Sequence, residues 1–198
     1  HELRTPLTTI KLAGEVIFAN RETLEPAAKR SAELMNNQIE RFEVLLNDLL
    51  EISRYDAGAV AADFEIQDVN GVVGTAIAGL EPLAQSRGSV IEIDIPSGPV
   101  DAEIDGRRIE RLIRNLLANA IEHGESRPIS VAVGLSDDAV AISVTDVGIG
   151  MSRAEVDRVF DRFWRADPAR KRTTGGTGLG LAISLEDTQL HGGWLQVW

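Results

Sequence analysis

The apolar residues of this chain change period near residue 57, and one layer of structure cannot serve both periods. Upstream, Leu3, Leu7, Ile10, Gly14, Ile17 and Leu24 fall on 4-3-4-3 spacing with one step skipped at Arg21, and Met35, Ile39, Phe42, Leu46 and Leu49 repeat it. A period of 3.5 predicts two long helices that meet along a seam. The break lies between Ala19 and Pro26, and a proline there suits the first turn of a new helix. One hairpin cannot bury both seams together with Leu45, Leu50 and Ile52, whereas pairing with a second copy into a four-helix bundle would bury them. On pattern alone, an ordinary coiled-coil spacer fits equally well.

Asp56-Ala57-Gly58-Ala59 supplies a glycine stop. Beyond it the pattern mixes. Short alternating runs predict strands at 64–67, 90–95 and 100–104, and a hairpin of 129–135 with 139–145 around Ser136-Asp137-Asp138. Helical stretches are expected at 69–86, from Asp105 as cap to about His123, at 153–159 and at 179–190, with a strand from Trp194. The chain therefore divides into a helical hairpin (1–56), a linker (57–62) and an α+β sandwich (63–198), a mixed sheet with helices on one face.

The chain has 198 residues and a net charge of −11, −3 in residues 1–56 (7 basic, 10 acidic) and −8 in the rest (13 basic, 21 acidic). An acidic balance argues against a general nucleic-acid or anionic-membrane binder. With no cysteine there is no disulfide, thiolate zinc site or Cys nucleophile. No apolar run reaches the roughly 18–20 residues of a membrane span. A chain that starts on His1 and stops at Trp198 is expected to be a fragment.

Five stretches carry chemistry. Asp146-Val147-Gly148-Ile149-Gly150 leads from a strand into an acid and two glycines, which lets a ligand approach the backbone beside a carboxylate that can accept from an exocyclic amine. A plain turn gives the same pattern. Gly175-Gly176-Thr177-Gly178-Leu179-Gly180-Leu181 opens a helix, where exposed N–H groups suit phosphate. It is neither a Walker A loop nor GxGxxG, and a flexible glycine-rich loop is its bland alternative. Between them, Arg162 to Arg172 holds five basic residues against one acid, a mobile loop that could close over an anion or a solvated charge run. Asn115 and Asn119, with His123 four further on, share one helix face, and amide oxygens suit Mg²⁺.

The fifth stretch is His1-Glu2-Leu3-Arg4-Thr5-Pro6-Leu7. His1 is about 200° around the helix from Leu3 and faces away from the seam. An exposed imidazole beside a carboxylate is a credible nucleophile, although a lone surface histidine is often silent.

Together these pieces resemble the sensor histidine kinases of bacterial two-component systems. His1 to Leu7 looks like the family's H box, Asn115 to Ala120 the N box, Asp146 to Gly150 the G1 box, Phe160-Asp161-Arg162-Phe163 the F box and Gly176 to Leu181 the G2 box. Residues 33–35, 41–54 and 163–168 are similar to an actinobacterial branch of that family.

The resemblance implies a dimeric histidine-phosphotransfer bundle followed by an ATPase domain of the gyrase, Hsp90, kinase and MutL type (GHKL). It implies ATP and Mg²⁺ as cofactors, a homodimer, a response-regulator receiver domain as partner, and the cytoplasmic portion of a membrane protein. His1 would be the phosphoacceptor, Glu2 its orienting base, and Thr5 the residue that positions water in dephosphorylation. Asn115 and Asn119 would hold Mg²⁺ and phosphate oxygens. Asp146 would read adenine, with Gly148 and Gly150 allowing close approach and His123 stacking near it. Arg162 and Arg165 would reach phosphates, Gly176, Gly178 and Gly180 would hinge a lid and present N–H groups to phosphate, and Thr177 and Leu179 would also bind the nucleotide. Relatives often carry Lys where this chain has Glu122. An ATP-binding scaffold without chemistry, and a clamp ATPase that releases free phosphate, are the rival readings. A label on histidine discriminates against the first, and the H box against the second.

Overall fold

A computed structural model describes residues 4–166 and 176–198. The chain forms two compact units, His1–Asp56 and Ala57–Trp198.

The first unit is a helical hairpin. Helix α1 (Arg4–Ala19) and helix α2 (Pro26–Asp56) are joined by a short 3₁₀ turn at Arg21–Thr23. Pro26 is the first helical residue, where a missing N–H costs no intrahelical bond. The seam splits by heptad position. Leu7 packs with Ile39 and Leu46, and Gly14 is buried against them. A Cβ at Gly14 would lie 2.7 Å from Ile39 Cδ1, so glycine sets how closely the helices approach. The alternate positions Ile10, Ile17, Met35, Phe42 and Leu49 face out, Ile10 55% and Phe42 54% exposed. They flank a groove of about 460 Å³ that Leu7, Ile10, Met35, Ile39 and Phe42 help to line. Lys11 Nζ bridges the helices to Glu43 Oε2 at 2.8 Å.

The second unit begins with strand β1 (Glu65–Asp68), helix α3 (Val69–Ser86), strands β2 (Ile91–Asp94) and β3 (Asp101–Ile104), and helix α4 (Gly106–His123). Strands β4 (Ile129–Leu135) and β5 (Val140–Thr145), helix α5 (Arg153–Val156) and helix α6 (Gly180–Leu190) follow. Two sheets form where the sequence predicts one. β1 pairs antiparallel with β3, Glu65 opposite Ile104. β2 pairs parallel with β4, and β4 antiparallel with β5. The core lies between the sheets and two helices: Val73, Ala76, Ile77 and Leu80 of α3, Ile113, Leu117 and Ile121 of α4, and alternate β4 residues Ile129, Val131 and Val133.

Aspartates start both core helices. Asp68 accepts from Asn70 N and Gly71 N, and also from Val100 N at 2.8 Å. Asp105 accepts from Arg108 N at 3.3 Å and from Asp63 N at 3.2 Å. The bonds from Asn70, Gly71 and Arg108 satisfy N–H groups that a helix start leaves open, and those from Val100 and Asp63 tie each cap to a neighbouring segment.

Two expectations need correction. The helix expected over 153–159 stops at Val156, because its bonds tighten to i→i−3, Val159 N to Val156 O at 3.4 Å. The strand expected from Trp194 does not form among the described residues: none of them pairs in a ladder with residues 194–198, and a strand exists only where a neighbour completes its N–H and C=O groups.

Burial opposes the Asp105 charge, but the N–H groups of Asp63 and Arg108 and the charges of Arg108 and Arg107 outweigh it, so its pKa lies below the ordinary carboxylate value. Its stabilisation is therefore complete above about pH 4 and lost as pH falls through the lowered pKa. Asp105→Asn should melt lower than wild type at pH 7, with the gap closing on acidification towards pH 2. A gap that does not change with pH would show that charge plays no part.

Candidate functional site

Helix α4 has two faces with different tasks. Leu112, Ile113, Leu117, Ala120 and Ile121 are buried in the core. Asn115 and Asn119 lie on the other side, half-buried. Asn115 Nδ2 donates to Gly180 O at 3.0 Å and to Ser184 Oγ at 3.2 Å. With its NH₂ engaged, the carboxamide presents Oδ1 as an acceptor. Asn119 makes no side-chain hydrogen bond among the described residues. A Cβ at Gly180 would sit 3.4 Å from the Asn115 side chain, so the start of α6 rests against the N-box asparagine.

The turn after β5 docks on the end of the same helix. Asp146 Oδ1 accepts from Gly148 N at 2.9 Å, closing an Asx turn. Ile149 N donates to His123 O at 3.3 Å. A Cβ at Gly148 would overlap that His123 carbonyl oxygen, and Gly150 holds φ +65°. Glycine is required at the first position by space and favoured at the second by conformation. Arg127 Nη1 donates to Val147 O at 2.9 Å and steadies the turn from the α4–β4 loop. His123 and Asp146 are exposed.

The F-box and glycine-loop segments meet backbone to backbone. Phe163 N donates to Gly178 O at 2.8 Å, with Phe163 at φ +63° and Gly178 at φ +71°. A Cβ at Gly178 would lie 3.0 Å from Phe163 Cα, so only glycine fits without movement. Arg165 Nη1 donates to Gly176 O at 2.9 Å. Thr177 Oγ1 accepts from Leu179 N at 3.2 Å, and Leu179 is fully buried. Arg162 Nη2 lies 3.5 Å from Glu186 Oε1 of α6.

The structure thus gathers Asn115, Asn119, Gly180 and Ser184 along α4 and α6, and Asp146, Gly148 and Ile149 at the end of α4. His1, Glu2 and residues 167–175 of the basic, glycine-bearing stretch lie outside the described residues. Thr5 is exposed in the first unit, its carbonyl accepting from Thr9 Oγ1 at 3.2 Å. The sequence reading missed Ser184 and Arg127. Ser184 had a signal, a small polar residue four after Gly180 in an apolar helix; Arg127, in an exposed loop, had none.

Residues 1–58 match the His Kinase A (phospho-acceptor) domain, and residues 104–198 the histidine kinase-, DNA gyrase B- and HSP90-like ATPase. The chain thus matches a phospho-acceptor domain family and an ATPase domain family in succession. The chain is 49% identical over all 198 residues to the sensor histidine kinase MtrB of Mycolicibacterium paratuberculosis, and 35% identical over 196 residues to the sensor histidine kinase WalK of Bacillus subtilis. It spans 35% and 32% of their lengths. The fold matches that of full-length ShkA, solved in complex with AMPPNP, at a TM-score of 0.80 and 24% identity, covering 97% of this chain and 40% of that one. The mycobacterial sensor histidine kinase MprB matches at a TM-score of 0.54 and 27% identity, covering 66% of this chain and 81% of that one.

In this chain the two kinds of glycine give a direct test. Gly148→Ala should lose about 1–3 kcal/mol of stability in urea denaturation, as overpacked sites do. Gly74, in α3 with nothing within 4 Å of its would-be Cβ, is the control, and Gly74→Ala should gain about 0.5–1 kcal/mol. Equal effects at both sites would mean that the G1 turn is slack.

Proposed function

We propose that this chain is the catalytic core of a sensor kinase that uses ATP to phosphorylate His1 and passes the phosphoryl group to an aspartate of a response-regulator receiver domain. The observation that carries this reading is the bond from Asn115 to Gly180 and Ser184, which joins the N-box helix to the glycine loop.

In the first step a ring nitrogen of His1 attacks the γ-phosphorus. The N–P bond forms, the bond from phosphorus to the β,γ-bridging oxygen breaks, and ADP leaves with that oxygen's electron pair. Glu2 accepts the proton from the other ring nitrogen. In the second step the receiver carboxylate displaces His1 from phosphorus. Thr5 positions water when the phosphorylated regulator is hydrolysed.

Asp146 accepts from the adenine amine, Gly148 keeps the turn docked on the end of α4, and the exposed His123 ring lies beside the base. The Asn115 Oδ1 and Asn119 amides are hard oxygen donors suited to Mg²⁺, which when bound neutralises phosphate charge. Arg162 and Arg165 bring guanidinium charge to the phosphates, while Gly176, Thr177, Gly178 and Gly180 offer backbone N–H groups, and Leu179 anchors the loop in the interior. Phosphoryl transfer asks mainly for positioning and charge of this kind. Glu122 supplies no cation, so the arginines carry that task.

The outward apolar row of the hairpin supports a homodimer through a four-helix bundle, Ile10, Ile17, Phe42 and Leu49 of each copy closing against the other. The likeness to MtrB kinases supports a regulator of the MtrA kind as partner, and placement on the cytoplasmic side of a membrane-anchored protein. No helix among the described residues is long and apolar enough to cross a membrane.

With γ-labelled ATP, the chain should acquire acid-labile label that His1→Gln abolishes, and a receiver domain should then take the label up. Label on histidine in His1→Gln would refute the assignment. Phe42→Glu should shift sedimentation towards monomer; an unaltered dimer would place the interface elsewhere.

A further inference from the structure

One fully buried charge in the second unit has no part in the scheme above. Asp187 of α6 has 0% exposure. Its carboxylate accepts from Arg111 Nε at 3.0 Å and Arg111 Nη2 at 2.6 Å on Oδ2, and from Arg108 Nη1 at 3.1 Å on Oδ1. Arg108 Nε also reaches Asp105 Oδ2 at 3.2 Å. One turn beyond Asp187, His191 Nε2 accepts from Asp105 N at 3.0 Å. A backbone N–H can only donate, so the ring proton sits on Nδ1, 2.7 Å from Asp187 O.

These contacts form a pattern. Arg108, Arg111 and Asn115 stand at i, i+3 and i+7 on α4, one stripe of the helix. Gly180, Ser184 and Asp187 stand at i, i+4 and i+7 on α6, also one stripe. Asn115 meets Gly180 and Ser184, while Arg108 and Arg111 meet Asp187, so the stripes lie antiparallel. Apolar residues at 108, 111 and 187 would hold the helices together about as well, since a buried ion pair gains little over a hydrophobic match. They would not hold them in one register. Two guanidinium forks on one carboxylate do, because their hydrogen bonds are directional. A slip of one residue turns a helix by about 100° and takes Gly180 away from Asn115.

We propose that Asp187 is a positioning residue for the nucleotide site. Held by Arg108 and Arg111, it locks the rotation and rise of α6 on α4, and so places the end of the glycine loop against Asn115 about 10 Å away. The inference rests on the reading of Asn115 and Gly180 as parts of an ATP site.

The test uses the full chain. Its key variant replaces the ionic cluster with apolar side chains, Arg108→Met, Arg111→Met and Asp187→Leu together. Melting temperature, and the dissociation constant of MgATP by calorimetry, are measured for wild type, this triple variant, Asn115→Ala and their combination. The triple variant should melt near wild type yet bind MgATP about tenfold more weakly, the scale of coupling through a packed element. Combined with Asn115→Ala, it should add no further loss, because both act at one place. Native melting with unchanged affinity, or losses that multiply, would overturn the proposal. Should the triple variant fail to fold, Asp187→Asn replaces it, with amide exchange over residues 181–184 as the readout. Faster exchange there with weaker MgATP binding supports the role, and exchange equal to wild type overturns it. A wild-type chain that binds no MgATP would instead remove the ATP reading itself, and the inference with it.

Discussion

The hydrogen bonds from Asn115 to Gly180 and Ser184 set a rotational condition on the second unit. Asn115 can reach α6 only if Leu112, Ile113 and Leu117 of the same helix point into the core, and those residues are buried. The apolar face fixes the rotation of α4, and the polar face inherits it. Burial is non-directional, so it chooses the face and leaves the register loose. Hydrogen bonds and the buried Asp187 pairing are directional and set what burial leaves open. Core and site are therefore two sides of one helix.

Much of this architecture was legible because local chemistry decides it. Asp105 reads as a cap and is one; β4 alternates and is buried at Ile129, Val131 and Val133; Pro26 marks the start of α2. Pairing is a different matter. β1 finds β3 across α3 and β2, and β2 passes over β3 and α4 to find β4. Four-residue strands carry no pattern that names a partner so far away, so one sheet was expected where two form. Residues 194–198 failed for the same reason: alternation describes a strand's faces, whereas its existence depends on a neighbour.

The site divided along similar lines. Gly148 and Gly178 were visible because no other residue fits where each sits, and a need that strict leaves its mark on composition. Asn115 and Asn119 were visible because two amides at helical spacing inside an apolar run are hard to explain as surface. Arg108, Arg111 and Asp187 were not, because charges at helical spacing usually mark a solvated face. Only the packing of α4 on α6 turns that face inward. An acid in an otherwise apolar helix, with two arginines elsewhere at matching spacing, is the kind of signal that a sequence holds without disclosing which pairs meet.

The charge of the chain gains meaning from the same geometry. A surface at −11 repels polyphosphate at long range, yet that repulsion is screened within about 10 Å at ordinary ionic strength. What matters at contact is which cations are held close and how tightly. Arg108 and Arg111 are committed to a fully buried carboxylate, and withdrawing either would leave that charge underpaired at a cost of several kcal/mol. Arg162 instead lies 3.5 Å from Glu186 at the surface, a pairing worth about 1 kcal/mol or less. A phosphate ligand that competes for guanidinium groups would draw on Arg162 and leave the arginines on Asp187 in place. The arginines thus separate by the carboxylate each one pairs with: those on the fully buried Asp187 hold the helices still, and Arg162, on the part-exposed Glu186, can change partner without loosening the fold.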